Sequence, residues 1–227
     1  MIQHFYRRDF ARAFLALTIL GAFSTWEDSH AGNGVQDGNS SIRPGTEYFK
    51  RIESGEVIVE ERTASEAGAS VVAWILIHAP VERIWETIIS CEQAAHFVAG
   101  LRHCEVLEET GDHALVHQVV DKGWSTPKLD YTFATRRKPF VKMEVELASG
   151  NLRSLRGDWI FETMNGDVLL QHRLELRPTV PVPRWLVRRN LKKDLPAMLT
   201  CIRGLVSGSG TEEASARERA QCPGSVE

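Results

Sequence analysis

"PVPRWLVRRNLKKDLP", residues 181–196, decides how the rest of the chain is read. Alone it is a basic segment, with Arg184, Arg188, Arg189, Lys192 and Lys193 crowded together. Extended to Val206 it becomes an amphipathic helix. At 100° per residue Val187, Leu191, Leu195, Met198, Leu199, Ile202, Leu205 and Val206 fall on one arc, and Arg189, Lys192, Lys193 and Arg203 lie opposite. The charges therefore mark the solvent face of a core helix rather than a grip on phosphate. Pro-Val-Pro brings the chain out of a strand, and Trp185 is expected to anchor the entry. Pro196, lacking an N–H and so freeing the Lys192 carbonyl, is expected to bend the helix towards its apolar side.

Upstream of that helix the period is two. "LVHQVVD" (115–121), "LDYTFAT" (129–135), "VKMEVEL" (141–147), "LRSLRGDWIFET" (152–163) and "VLLQHRLELR" (168–177) alternate faces, separated by turn-forming stretches such as "MNGD". "CEVLEE" (104–109) is a further short strand, and "GEVIVEER" with "VVAWILI" (71–77) reads as an earlier hairpin. Between hairpin and meander the period changes. Val81, Ile84, Trp85 and Ile88 after Pro80 mark one short helix, and "EQAAHFV" before Gly100 a second. The expected class is α+β: a curved antiparallel sheet of about seven strands, two short helices after the first main strand, and a long C-terminal helix across the sheet.

The 227 residues are 43% hydrophobic and 25% charged, enough for one domain with a real core. A formal net charge of −3 argues against a nucleic-acid partner. Arg7 and Arg8 precede an apolar run, Ala13 to Phe23, too short to span a bilayer, which is the layout of a signal peptide over 1–31, and "RRDF" resembles a twin-arginine core. The chain is thus expected to be exported, periplasmic or secreted. A flexible spacer over 32–46, a folded domain over 47–206 and a disordered tail over 207–227 follow from composition. Of four cysteines, Cys91 and Cys104 form the pair to test first, since so short a loop adds about 3 kcal/mol if closed, and two small buried hydrophobes are the alternative. No Cys-x-x-Cys or His-x-x-x-His pair occurs, so no metal site is expected.

Strand, two short helices, meander and closing helix form the helix-grip order. The chain resembles the START-like (SRPBCC) superfamily, particularly its polyketide-cyclase and coenzyme-Q-binding branch. The matching stretches are "IHAPVERIWETI" (77–88), "HFVAGLRHCEVLEE" (96–109), "GDWIFE" (157–162) and "LRPTVPVPRWLVRRNLKKDLP" (176–196), within residues 55–206. Relatives often show Asp-Tyr after the first helix and Phe-x-Pro-Gly after the second. This chain has Ser90-Cys91 and Phe97-Val98-Ala99-Gly100, at the expected cavity mouth. The resemblance implies a cavity between sheet and helix for lipids, quinones, sterols or aromatic polyketides.

One-face sets such as Leu115/His117/Val119, Leu129/Tyr131/Phe133, Leu155/Trp159/Phe161 and Leu170/His172/Leu174 would line such a space. The candidate ligand-binding residues are Trp85, Phe97, Leu101, His117, Val119, Tyr131, Phe133, Trp159, Phe161, Leu170, His172, Leu191, Leu195 and Met198. If the chain is an enzyme, His117, His172 and Tyr131 are its acid–base candidates, although a histidine on an apolar strand is more often a hydrogen-bonded core residue. Arg153 is a candidate for an anionic head group, with solvation of a strand-end arginine as the alternative. No Gly-x-Ser-x-Gly or phosphate loop appears. The expectation is a carrier for a hydrophobic small molecule, without cofactor and monomeric, with no membrane-spanning helix in the mature chain but with transient membrane contact allowed. The alternatives are a cyclase or aromatase, and a protein-interaction module using the basic helix face.

Overall fold

The alternating stretches pair into a single antiparallel sheet that wraps against the last long helix. The computed structural model describes residues 42–63, 68–124, 126–207 and 212–224. In chain order the elements are α1 (Glu47–Glu53), β1 (Ile58–Arg62), β2 (Ala69–Ile77), α2 (Val81–Ile89), α3 (Cys91–Phe97), β3 (Leu101–Thr110), β4 (His113–Val120), β5 (Leu129–Lys138), β6 (Lys142–Gly150), β7 (Leu152–Met164), β8 (Asp167–Pro178), α4 (Arg184–Val206) and α5 (Glu212–Ala220). The sheet has eight strands, where sequence suggested about seven, in the order β1-β2-β8-β7-β6-β5-β4-β3. This is the helix-grip architecture.

Local chemistry sets the helices between β2 and β3. Pro80 caps α2 with φ −57°, and Ile84, Trp85 and Ile88 form its buried face. Ser90 separates the two helices, its hydroxyl accepting from the Gln93 N–H to cap α3. Beyond α3 the chain turns at Gly100, whose φ is +73° and where a Cβ would stand 2.7 Å from the Asp121 carbonyl oxygen, so only glycine fits.

β2 is buried along its whole length. Val71, Ala73, Ile75 and Ile77 face α4, whereas Val72, Trp74 and Leu76 pack on a second cluster with Ile42, Phe49 and Ile52. This second cover explains why "VVAWILI" is continuously apolar rather than alternating. It comes from α1 and the residues before it, a seven-residue helix too short to announce itself by period.

α4 buries Val187, Leu191, Leu195, Leu199, Ile202 and Val206, as its pattern predicts. Trp185 differs from expectation: it is 57% exposed and does not anchor the entry, while Leu186 and Val187 beside it turn inward to the space beneath the helix. Arg188 and Lys192 are outward but engaged, both bridging to Glu61 on β1 (2.9 and 3.2 Å). Arg203 is not on the open solvent face. Its guanidinium is covered by α5, pairing with Glu218 at 2.7 Å and donating to the Gly55 carbonyl.

That covering helix corrects the expectation of a disordered tail. Residues 212–220 are helical, a disulfide joins Cys201 to Cys222, and the Gly224 N–H donates to the His96 carbonyl. The segment has almost no apolar content to signal order, and it is held instead by a covalent tie and close backbone contact. Gly204 permits that contact, since a Cβ there would lie 2.7 Å from Glu218 Cβ. The stretch expected to be a signal peptide and most of the expected spacer lie outside the described residues. Among those described, no helix is long and apolar enough to cross a membrane.

Candidate functional site

The period of β5 and its neighbours decides what faces α4. Leu129, Tyr131, Phe133, Thr135 and Arg137 share one face of β5, and register sets Leu129 opposite Val120, Tyr131 opposite Gln118 and Phe133 opposite Val116 on β4. This face does not meet α4 in close packing, and two adjoining cavities remain. The outer lobe, about 190 Å³, lies between the β4–β5 turn (Lys122, Thr126, Pro127) and the first half of α4 (Leu186, Asn190, Leu191, Asp194, Leu195). A Lys122–Asp194 ion pair ties these two walls together. The inner lobe, about 200 Å³, is bounded by α3, the Cys91–Cys104 disulfide, Met143, Trp159 and His172. Phe97, Val98, Tyr131, Leu174, Leu176 and Met198 line both lobes.

The few polar groups in this apolar wall are well defined. His172 is buried and stacked on Trp159, ring centroids 3.7 Å apart. Its Nδ1 lies 3.1 Å from the Asp158 carbonyl oxygen, so the proton sits on Nδ1 and Nε2 keeps its lone pair. Burial draws the His172 pKa down to about 4, the Asp158 carbonyl opposing only part of that shift, and the ring is neutral at physiological pH. Tyr131 donates its hydroxyl to Gln118 Oε1 at 3.0 Å, and burial pushes its pKa up to about 12. Gln118 in turn donates to Cys104 Sγ. Arg137 is buried on the inner wall and pairs with Glu109, while its Nε has no partner. In the outer lobe the buried Thr126 Oγ1 is likewise unpaired. Unpaired buried donors are costly, of order 1–3 kcal/mol each, unless something supplies an acceptor.

Of the residues named from sequence, Phe97, Tyr131, Phe133, Trp159, His172, Leu191, Leu195 and Met198 line the lobes. Trp85, Phe161 and Leu170 belong instead to the filled part of the core, Trp85 and Phe161 packing ring to ring at 5.3 Å. Leu101 packs against the margin of that core. His117 and Val119 are the clear misplacements. On β4 it is Ala114, Val116, Gln118 and Val120 that are buried, so the Leu115/His117/Val119 set lies on the outer face. There His117 contacts Asp130 of β5 at 3.0 Å. The apolar set Leu115/Val119 suggested the opposite phase, and the deciding signal was the neighbouring Ala114/Val116/Val120 set with Gln118 as its polar member. Arg153 is exposed, which is the solvated alternative, while Leu152 beside it is buried. Gln118 and Arg137 were missed because a polar residue in a strand ordinarily marks the wet face, and Thr126 because it lies in the β4–β5 turn, where no period assigns a face.

Comparison with known proteins follows the same lines. Residues 77–203 match the family model described as polyketide cyclase / dehydrase and lipid transport. Among solved structures, the chain is similar to a STAR-related lipid transfer protein from Xanthomonas axonopodis (TM-score 0.58, 12% identity, covering 66% of this chain and 92% of that one). It is also similar to a START superfamily protein from Mycobacterium smegmatis (TM-score 0.53, 16% identity, covering 60% and 96%). A third similar structure is the Zhui aromatase/cyclase from Streptomyces (TM-score 0.47, 13% identity, covering 73% and 95%). No curated protein matches the sequence.

Proposed function

Because the chain belongs to the polyketide cyclase / dehydrase and lipid transport family, we propose that it binds and carries a hydrophobic small molecule in the two lobes beneath α4. The observation that carries the reading is the unfilled, predominantly apolar space between β4–β8 and α4, beside a contiguous core of buried residues. At about 190 and 200 Å³, the two lobes together reach the lower end of the size of small-molecule sites, roughly 300–1,000 Å³. Affinity would come mainly from burial, about 0.8 kcal/mol per methylene. Orientation would come from the few polar groups, with Arg137 Nε and Thr126 Oγ1 offering donors and His172 Nε2 an acceptor.

Protonation states support binding over proton transfer. An imidazole whose pKa is near 4 is a weak base at neutral pH, and a phenol near 12, already donating to Gln118, is a weak acid. A cyclase is the second reading, favoured by one observation: His172 and Tyr131 both line the inner lobe. It predicts that His172→Asn abolishes turnover of a polyketide substrate and preserves its binding. Displacement of a polarity-sensitive naphthylamine probe tests the primary reading. Long-chain lipids should compete for one site per chain, and absence of any competing hydrophobic ligand counts against it.

The same proposal includes export. Its support is the Arg-Arg and apolar run at the N-terminus, together with two disulfides, Cys91–Cys104 and Cys201–Cys222, which suit an oxidising compartment. Fusion of residues 1–46 to alkaline phosphatase should yield active phosphatase, and an inactive fusion would place the protein in the cytoplasm.

A further inference from the structure

On the outer face of the sheet, the side opposite the cavity, three side chains of metal-binding chemistry converge. His103 and Glu105 project from the same face of edge strand β3, and His117 projects from β4, where Glu105 and His117 are directly paired in register. One potential ligand atom from each lies within 4.8 Å of the other two. The two imidazoles are 5.2 Å apart between centroids, and His103 Nε2 is 3.4 Å from Glu105 Oε2. From β5, Asp130 Oδ1 stands 3.0 Å from His117 Nε2.

We propose that His103, Glu105 and His117 form a binding site for a borderline divalent cation, zinc being the probe, with Asp130 orienting the His117 ring. Two imidazoles and one carboxylate are the donor set that zinc takes, leaving a fourth position to water. Bonds of about 2.0–2.1 Å around a tetrahedral ion bring donors to roughly 3.3 Å from one another. The donors lie within 4.8 Å of one another on side chains that are half-buried or exposed, so side-chain rotation is the movement the site asks for. Asp130 has the second role such sites require. A carboxylate accepting from one ring nitrogen fixes the imidazole and leaves the other nitrogen for the ion. The motif was invisible as sequence because its ligands come from two strands, at no fixed spacing.

The site has a structural consequence. His103 precedes Cys104 and His117 precedes Gln118, and on the inner face Gln118 contacts Cys104 at the wall of the inner lobe. An ion here staples the edge strand β3 to β4 directly behind that wall, so it should stabilise the fold as well as bind.

The test is titration of the full, untagged chain with Zn²⁺ by calorimetry, with melting temperature followed in parallel. One zinc per chain and a raised melting temperature are expected. His103→Ala or His117→Ala should weaken binding at least tenfold, and Asp130→Asn about tenfold. His113→Ala, at the far end of β4 and paired with Asp112, should leave binding unchanged and serves as control. Each variant is first checked for unchanged far-ultraviolet circular dichroism. If no stoichiometric zinc binds, or if His103→Ala and His117→Ala bind zinc as the parent does, the proposal is wrong.

Discussion

His172 connects the cavity to stability in a way that can be measured without knowing the ligand. In the folded chain its pKa lies near 4, against an ordinary value of 6.5, because the ring is enclosed by Trp159 and apolar strand residues. The unfolded chain therefore binds the proton first as pH falls. Above pH 6.5 both states are neutral at this residue and its contribution is fully present. Between 6.5 and 4 the unfolded state gains protons that the folded state does not, so stability falls with falling pH, and below 4 the loss saturates. At 1.36 kcal/mol per pH unit, the full loss is about 3 kcal/mol. The perturbation is His172→Asn, which cannot titrate and whose Nδ2 can replace Nδ1 as donor to the Asp158 carbonyl. Urea denaturation of both proteins at half-unit steps from pH 4 to 7.5 gives the two profiles. Carboxylates contribute to both and cancel in the difference. The wild type should lose about 3 kcal/mol more than the variant over this range. Parallel profiles would refute the assignment of a neutral, buried imidazole at the cavity wall.

Other consequences are equally specific. Met198→Trp, at the α4 position shared by both lobes, should reduce naphthylamine-probe binding at least tenfold while the melting temperature holds or rises, since the new ring fills existing space. Gly150→Ala should destabilise the fold by about 2 kcal/mol or more in urea titration, because φ is +125° and the added Cβ meets the Asp130 carbonyl and lies 2.5 Å from Tyr131 Cα. The double variant Cys201→Ser/Cys222→Ser should cost about 3 kcal/mol and abolish amide-exchange protection in residues 212–224, with probe binding retained.

The fold was legible because each element states its period locally: the α2 face at Ile84, Trp85 and Ile88, the alternating meander, and the apolar arc of α4. Elements held by something other than period were not. α1 is two buried side chains on a seven-residue helix, and α5 is a polar helix secured by a disulfide and a glycine contact. The site was half legible for a related reason. Aromatic and aliphatic residues such as Phe97, Tyr131, Trp159 and Met198 signal an inward face, but whether an inward residue meets a partner or a void depends on how strands and helix diverge. Trp85, Phe161 and Leu170 meet partners, and Phe133 and His172 meet the void. Phase was the other failure. β4 carries apolar residues on both faces, and His117 was assigned inward when Gln118 holds that position.

The central claim is that the space beneath α4 holds a hydrophobic ligand. Native mass spectrometry of the full chain, purified without detergent and then exposed to a total lipid extract, tests it most directly. A single adduct of a lipophilic molecule at one per chain, absent from Met198→Trp under the same conditions, is the predicted result. A spectrum of unliganded protein alone, or an adduct that Met198→Trp retains, would contradict it.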